Sequence, residues 1–330
     1  MAMTDSTSVV LRRVARAALG LGLLLVVLHV SLPYLAPIFS APLEWATVPM
    51  EDAETECFEE SDPEPWSYCL TTSPGSANAD LLYHFHGRRG AADWWNDQEY
   101  YSYEVHRAWR EAGLDPPRVA SVSFGPLWLL TEDGSAAGGG RMRTFLDHVV
   151  PTVEGRLAEP VARRMAVGES MGGVNALLVA THAGERFDRV ASLCPPLSTM
   201  SPFAGYGELW AAGDEAGASI QRRLMLTSLG KHLYPTEQDW ERNDPLQRVL
   251  RGQSSALPDL YLSCGERDDW GCMAGSEAFV TATRETGAEV EWHRRPGGHC
   301  DIDAASLARF LGQAPDDLRG RAPRLAAVDP

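Results

Sequence analysis

One serine in the sequence stands in a setting that favours nucleophilic chemistry. Ser170 is the central residue of Gly-Glu-Ser-Met-Gly at positions 168–172, which matches the pattern G-x-S-x-G. An apolar run at 164–167 precedes this motif, and a helix-forming segment at 174–182 follows it. A sharp turn from strand to helix holds a serine exposed, and the residues beside it must be small because the backbone crowds them. We therefore predict that Ser170 is a nucleophile.

A serine hydroxyl needs a general base, and the base needs a carboxylate that orients it. An apolar run at 260–264 is followed by Gly-Glu-Arg-Asp, which places Asp268 at the end of a predicted strand. His299 comes after the last predicted strand and directly after Pro-Gly-Gly. We predict that His299 is the base and that Asp268 is the acid, with Asp269 as the alternative acid.

Attack on a carbonyl creates an oxyanion, which two preorganised N–H groups can stabilise. One donor is expected from the residue after the nucleophile, Met171, and the other from the loop that follows an early strand. Residues 81–85 predict that strand, so the amide of Arg88 or Gly87 is expected to be the second donor. The side chains of Arg88 and Arg89 could meet an acidic leaving group, or they could be solvated.

Two histidines one residue apart raise the alternative of a metal site. His84 and His86 end the first predicted strand, as H-x-H does in metallo-hydrolases, but that pattern needs an aspartate at the position of Arg88. No cysteine or histidine spacing suited to zinc occurs elsewhere in the sequence. We therefore expect no metal and no cofactor.

Five segments in this order resemble the putative-esterase family of α/β-hydrolases, which includes S-formylglutathione hydrolases, feruloyl esterases and mycolyltransferases. They are HG at 86–87, SFGPLW at 123–128, GESMGG at 168–173, CGERDD at 264–269 and PGGH at 296–299, and the resemblance spans roughly residues 78–312. It implies an α/β-hydrolase fold and a triad of Ser170, Asp268 and His299, which follow one another in the chain order of that fold. The chain departs from the family in its N-terminal segment, its extra cysteines and its HGRRG loop.

Aromatic residues cluster near the predicted oxyanion loop. Trp94, Trp95 and Trp128 are expected to form the floor of a pocket for the acyl or aromatic part of an ester. The alternative for each of them is a place in the hydrophobic core.

Apolar runs alternate with helical patterns over residues 80–313. The predicted strands are 81–85, 118–124, 164–167, 190–194, 260–264 and 289–292, and the predicted helices are 99–112, 141–157, 174–182 and 272–286. This alternation predicts a mostly parallel sheet with helices on both faces, whose carboxyl edge carries the functional loops. Residues 197–257 are less regular and are interpreted as a lid-like insertion. Residues 43–79 are an acidic lead-in with one edge strand at most, and 314–330 are interpreted as a flexible tail.

The composition is that of a globular, acidic protein. The 330 residues are 44% hydrophobic, and 29 Lys and Arg stand against 45 Asp and Glu, which gives a formal net charge of −16. Such a chain repels phosphate backbones, so nucleic acid is not expected as a partner. A solvated acidic surface explains the charge without any function.

The N-terminus has the layout of an export signal. Residues 1–16 are basic, with three arginines, and 17–42 are almost entirely apolar. This stretch predicts an uncleaved signal anchor of bilayer length, with a cleaved signal peptide or a buried core helix as alternatives. The arginines would keep the N-terminus in the cytoplasm, so the rest of the chain is expected outside it, either membrane-anchored or secreted.

All six cysteines lie beyond that segment, and their number is even, which favours disulfides in an oxidising compartment. Two pairings have a physical motive. A bond between Cys57 and Cys69 would close a short acidic loop, and one between Cys272 and Cys300 would fix the loops of the predicted acid and base. Cys194 and Cys264 could instead remain as buried thiols.

These features together predict an exported serine hydrolase that cleaves a small-molecule or polymer ester through an acyl-enzyme. Acyl transfer to a sugar or lipid alcohol at the cell envelope, as mycolyltransferases perform it, is one alternative, because an alcohol can take the place of water. A non-catalytic binding domain on an esterase scaffold is another. The sequence leaves the oligomeric state open.

Overall fold

The computed structural model describes residues 19–20, 31, 34–43, 46–132, 140–215, 217–254 and 256–312. The predicted basic segment 1–16, most of the predicted signal anchor 17–42 and the predicted tail 314–330 lie outside these residues. Within the described part, every helix is too short or too polar to cross a bilayer.

The described residues fold around an eight-stranded sheet. The strands are β1 (Glu54–Glu60), β2 (Trp66–Thr72), β3 (Leu81–Phe85), β4 (Arg118–Ser123), β5 (Arg164–Glu169), β6 (Arg189–Leu193), β7 (Asp259–Gly265) and β8 (Val290–Arg295). Their order is β1-β2-β4-β3-β5-β6-β7-β8, and the six strands from β4 to β8 in this order are parallel. Strands β1 and β2 form an antiparallel hairpin that extends the sheet beyond β4, where the sequence predicted one strand at most.

Helices cover both faces of this sheet, as the alternation of patterns predicted. They are α1 (Tyr101–Glu111), α2 (Arg141–Thr144, Phe145–Val149 and Val150–Gly155, with a π-helical middle part), α3 (Met171–Ala183), α4 (Tyr206–Glu215), α5 (Ile220–Leu233), α6 (Glu237–Asn243), α7 (Pro245–Leu250), α8 (Cys272–Glu285) and α9 (Ala304–Gly312). Short 3-10 helices lie at Ala92–Asn96 and Gly184–Arg186. The predicted insertion, 197–257, contains α4 to α7.

The central strands are buried on both faces, which is why they appear in the sequence as continuous apolar runs. Along β3, Leu81, Tyr83 and Phe85 enter one core together with residues of α2, α3 and α8, whereas Leu82 enters a second core with residues of α1 and α9. Successive strand residues point to opposite faces, so one strand supplies both cores. The result is a rigid platform whose carboxyl edge carries the loops after β3, β5, β7 and β8.

Two disulfides are present among the described residues. Cys57–Cys69 joins the paired strands β1 and β2, as predicted. The second bond is Cys194–Cys300, so the predicted pairing of Cys272 with Cys300 is wrong. Cys272 and Cys264 are buried free thiols. The loop after β8 brings His299 to Ser170 at the end of β5, and because β6 and β7 lie between β5 and β8, this loop passes Cys194 at the end of β6.

Candidate active site

Ser170 occupies the turn between β5 and α3, as the sequence predicted. Its backbone angles are φ 54° and ψ −116°, a left-handed conformation that is costly for a residue with a side chain. The turn is possible only because two glycines flank it: a Cβ on Gly168 would overlap the Gly172 carbonyl, and one on Gly172 would overlap the Phe85 carbonyl of β3. The packing of α3 against β3 and β5 therefore fixes the strained serine at the edge of the sheet.

The structure brings Ser170, His299 and Asp268 together. His299 Nε2 lies 3.1 Å from Ser170 Oγ, and His299 Nδ1 lies 2.8 Å from Asp268 Oδ2. They lie in the loops after β5, β8 and β7, respectively. In the sheet these parallel strands follow one another in the order β5, β6, β7, β8, so only β6 separates β5 from the other two. The carboxylate, the imidazole and the hydroxyl thus form one continuous line of hydrogen bonds.

The Asp268 side chain is completely buried, which suits a carboxylate that orients an imidazole. Burial works to raise its pKa, but hydrogen bonding to His299, the charge of that residue and the Trp270 N–H outweigh it, so the pKa of Asp268 lies below its ordinary value. The Trp270 N–H donates to Asp268 Oδ1 at 2.8 Å. Asp269, the alternative acid, instead accepts a hydrogen bond from Arg222 Nε at 3.0 Å.

The loop that carries His299 is fixed on two sides. The Cys194–Cys300 disulfide ties it to the end of β6, beside the turn that carries Ser170. On the other side, the backbone of Gly298 approaches Gly265 so closely that a Cβ at position 265 would overlap its carbonyl. Cys272 Sγ lies 4.0 Å from His299 Nδ1 beneath this loop, and burial raises the pKa of the Cys272 thiol well above its ordinary value.

The N–H groups predicted as oxyanion donors differ in whether they are already hydrogen-bonded within the protein. Met171 is the first residue of α3, where the N–H groups have no acceptor within the helix. The Gly87 N–H is in close contact with Glu169 Oε1 and donates to it, so the prediction of Gly87 as a donor is corrected. The Arg88 N–H makes no hydrogen bond among the described residues. This amide remains the candidate for the second donor.

Glu169 was missed by the sequence analysis, although it stands inside the motif. Its carboxylate accepts hydrogen bonds from the Gly87 N–H and from the Tyr100 hydroxyl, and it lies 3.3 Å from His84 Nε2. The residue joins the loop after β3 to the nucleophile turn. The only signal in the sequence is the residue type: Glu169 is acidic, whereas the end of a buried strand is normally apolar.

A cavity of about 520 Å³ opens at this edge, and Ser170 and His299 lie in its wall. Its other lining residues are largely apolar and come chiefly from the loop after β4, from α3 and from the insertion 197–257; they include Leu127, Val174, Leu197, Leu226 and Leu229. Trp94 lines the cavity, as predicted, but Trp95 and Trp128 do not. Both are fully buried in the cores, Trp95 against His84 and Trp128 against Phe85, so their prediction as substrate-binding residues is corrected.

The histidines of the H-x-H pattern are structural in this arrangement. His86 is fully buried, with Nδ1 at 2.7 Å from the Gly87 carbonyl and Nε2 at 2.8 Å from Ser123 Oγ. Two potential metal-ligand groups, Cys194–His299–Cys300 and Asp268–Cys272–His299, also occur among the described residues. The Cys194 and Cys300 sulfurs are in a disulfide, and His299 and Asp268 bind each other.

Burial of His86 predicts a pH-dependent stability. Desolvation lowers the pKa of His86 to about 4, although the hydrogen bond to the Gly87 carbonyl acts to raise it. In the unfolded chain the pKa is near its ordinary value of about 6.5. The unfolded state therefore binds one more proton between these two values, and stability falls as the pH drops from about 6.5 to about 4. His86→Gln removes this proton, so we expect its free energy of unfolding to change less steeply over this range, by about 1.4 kcal/mol per pH unit.

Urea unfolding at several pH values between these limits measures the two slopes. His148→Gln, at an exposed position, is the matched control and should keep the slope of the wild type. Equal slopes for the wild type and His86→Gln would contradict the prediction.

Comparison with known proteins gives the same classification as the site. Residues 134–301, just over half of the chain, match the family described as Putative esterase. No curated protein matches the chain. Among solved structures, a ferulic acid esterase is similar at 14% identity and a TM-score of 0.55, over 79% of this chain and 95% of that one. An S-formylglutathione hydrolase from Agrobacterium tumefaciens is similar at 16% identity and a TM-score of 0.53, over 80% and 94%.

A third similar structure is brefeldin A esterase, described as a bacterial homologue of human hormone sensitive lipase. Its identity is 16% and its TM-score 0.61, over 88% of this chain and 84% of that one. At such identities the likeness of the structures shows the fold, which is that of the α/β-hydrolases, and the family match adds the chemistry. The chain belongs to the Putative esterase family of α/β-hydrolases and is an ester hydrolase, as its motifs predicted.

Proposed function

We propose that this protein is an exported serine esterase that cleaves carboxylic esters through a Ser-His-Asp triad and an acyl-enzyme. The single observation that carries the proposal is the line of hydrogen bonds from Asp268 through His299 to Ser170 in the wall of a cavity. In such a line the serine attacks, the histidine takes its proton and the aspartate orients the histidine.

In the proposed reaction, Ser170 Oγ attacks the ester carbonyl while His299 Nε2 takes its proton. Asp268 holds the imidazole in the tautomer that carries a proton on Nδ1 and stabilises the imidazolium that forms. The amides of Met171 and Arg88 stabilise the oxyanion. His299 then gives the proton to the leaving alcohol, and a water molecule activated by the same histidine releases the acid from Ser170.

The apolar wall formed by α3 and the insertion suits the acyl part of the substrate. A volume of about 520 Å³ is within the range of pockets that bind small molecules. Because the apolar lining lies beside the nucleophile, an acyl chain bound there would have its carbonyl within reach of Ser170.

Export is supported by two independent features. The described residues contain two disulfides, which persist in oxidising compartments. The N-terminal sequence has a basic segment followed by an apolar one. Both features fit a catalytic domain outside the cytoplasm.

A fluorophosphonate probe tests the proposed nucleophile directly. We expect the native protein to be labelled at Ser170, as read by peptide mass mapping, and to lose hydrolysis of para-nitrophenyl esters in proportion to labelling. Labelling should be abolished in Ser170→Ala. His299→Gln should be labelled far more slowly, because the hydroxyl then lacks its base. An unlabelled native protein without esterase activity would instead favour the non-catalytic binding domain.

A further inference from the structure

The side chain of Arg88 lies in the wall of the active-site cavity without a partner for its charge. It lines the same cavity as Ser170 and His299, and its Nη1 is buried without any hydrogen-bond partner. Among the described residues, no carboxylate lies within ion-pair distance of this guanidinium. Burial, followed by the neighbouring charges of Arg89 and Arg222, lowers the pKa of Arg88. Burying part of a cation without a counterion costs free energy.

Three neighbouring arginines each have a hydrogen-bond partner for the side chain, which Arg88 lacks among the described residues. Arg222 donates to Asp269 at 3.0 Å, and Arg223, also in the cavity wall, donates to Asp214 at 2.8 Å. Arg89 donates through Nε to the carbonyl of Ala41. The chain has 45 acidic residues against 29 basic ones, so counterions are not scarce. The missing partner of Arg88 is therefore a property of the site.

Hydrogen bonds on both sides of Arg88 fix the backbone from which its side chain enters the cavity wall. The Gly87 N–H donates to Glu169, and the Arg89 N–H donates to the Pro126 carbonyl at 2.8 Å. Arg88 lies between these two anchors.

The position of Arg88 relative to His299 indicates which part of the substrate it faces. The Arg88 guanidinium lies 5.9 Å from the centre of the Trp270 ring, and this ring lies 5.4 Å from the imidazole of His299. Arg222, which is paired with Asp269, packs on the same ring at 4.0 Å. In the proposed reaction His299 delivers a proton to the leaving oxygen, so the alcohol part must leave on this side.

We propose that Arg88 binds an oxyanion, a carboxylate or a phosphate, carried by the alcohol part of the ester. The planar guanidinium matches either group with two parallel N–H donors. Trp270 provides a flat apolar surface between this charge and the histidine, on which the body of the alcohol can lie. The inference rests on the proposed function and deepens it, because it names the class of alcohol that the site accepts.

The test compares two esters that differ only in the charge of the leaving group. Hydrolysis of para-acetoxybenzoate gives acetate and para-hydroxybenzoate, and para-acetoxybenzamide is its neutral counterpart. The quantity measured is the ratio of their kcat/KM values, which cancels changes that affect both esters. We expect Arg88→Gln to lower this ratio about 10- to 100-fold relative to the wild type, as for a lost charge-assisted hydrogen bond. Arg88→Lys keeps the charge but loses the two parallel N–H donors, so its ratio should lie between those of the wild type and Arg88→Gln.

Arg89→Gln is the matched control, since it removes the same charge one residue away and outside the cavity wall; its ratio should equal that of the wild type. Inhibition by para-hydroxybenzoate gives a second readout, and its inhibition constant should rise in Arg88→Gln.

para-Acetoxyphenyl phosphate in place of the benzoate shows which oxyanion is preferred. Phenyl hemisuccinate against phenyl butyrate places the charge on the acyl part, and Arg88→Gln should leave that ratio nearly unchanged.

Three outcomes would overturn the inference. An unchanged benzoate-to-benzamide ratio in Arg88→Gln shows that the guanidinium does not recognise the anion. A fall only in the hemisuccinate ratio places the anion on the acyl part instead. If the wild type hydrolyses none of these esters and Ser170 is not labelled, the proposed function itself has failed, and this inference falls with it.

Discussion

Replacing Ser170 by alanine is expected to lower kcat for ester hydrolysis by about 10⁶-fold, the loss seen when a triad nucleophile is removed. The substitution removes one oxygen atom, and with it the acyl-enzyme. A loss of this size corresponds to about 8 kcal/mol of transition-state stabilisation. The fold should persist, because the turn is held by Gly168 and Gly172 and by the packing of α3 rather than by the hydroxyl.

Ser198→Ala is the matched control for this measurement. Its hydroxyl also lies in the cavity wall, but it bonds to the backbone of Met200 instead of His299. We expect its kcat to change less than tenfold. Ser170→Ala protein that keeps a tenth of the wild-type activity on para-nitrophenyl esters, and unfolds at the same temperature, would reject Ser170 as the nucleophile.

The parallel part of the sheet could be predicted from the sequence because its strands are buried on both faces. Such strands are short apolar runs that end at glycine or proline, and the observed bounds of β3, β6 and β7 differ from the predicted ones by at most one residue at either end. Strand β8 was predicted to end at position 292 but extends to Arg295. It is an edge strand, so its outer residues are polar and the apolar pattern ends before the backbone pairing does.

The hairpin of β1 and β2 was harder to predict for the same reason. Strand β1 has the sequence Glu-Thr-Glu-Cys-Phe-Glu-Glu and is largely exposed at the end of the sheet. Its acidic composition resembles that of a loop. What holds it is pairing with β2 along its whole length and the Cys57–Cys69 bond, and neither leaves an apolar pattern in the sequence.

The three residues of the proposed triad could be predicted to meet because each stands where a strand pattern ends, and parallel strands end at the same edge. The errors concern contacts that depend on the order of strands in the sheet. Cys272 is closer to Cys300 in sequence, but Cys194 is the partner of Cys300, because the loop from β8 to Ser170 passes the end of β6. Trp95 was placed in the pocket because it belongs to an aromatic cluster near the oxyanion loop, yet in the short helix Ala92–Asn96 Trp95 is buried while Trp94 lines the cavity.

Replacing Asp268 by asparagine is expected to lower kcat by about 10⁴-fold while leaving the fold intact, since the two side chains have the same shape. Asp268 accepts the Nδ1 proton of His299 at 2.8 Å, and its other oxygen accepts the Trp270 N–H. An asparagine can make only one of these contacts with its oxygen. If the oxygen keeps the Trp270 N–H, the amide N–H₂ group faces His299 and favours the tautomer with its proton on Nε2, which cannot take the proton of Ser170.

The adjacent residue supplies the control that separates this role from a general effect of charge. Asp269→Asn removes one negative charge from the same loop, but Asp269 bonds to Arg222 and not to His299, so kcat on a neutral ester should fall less than tenfold. The rate of fluorophosphonate labelling of Ser170 should follow kcat in both variants, because it depends on the same activated hydroxyl. Equally large losses in the two variants would show a general effect of the loop's charge instead of an orienting role for Asp268, and a larger loss in Asp269→Asn would move the acid of the triad from 268 to 269. A small loss in both would show that His299 acts without an orienting carboxylate, and the line of hydrogen bonds that carries the proposed function would then end at the imidazole.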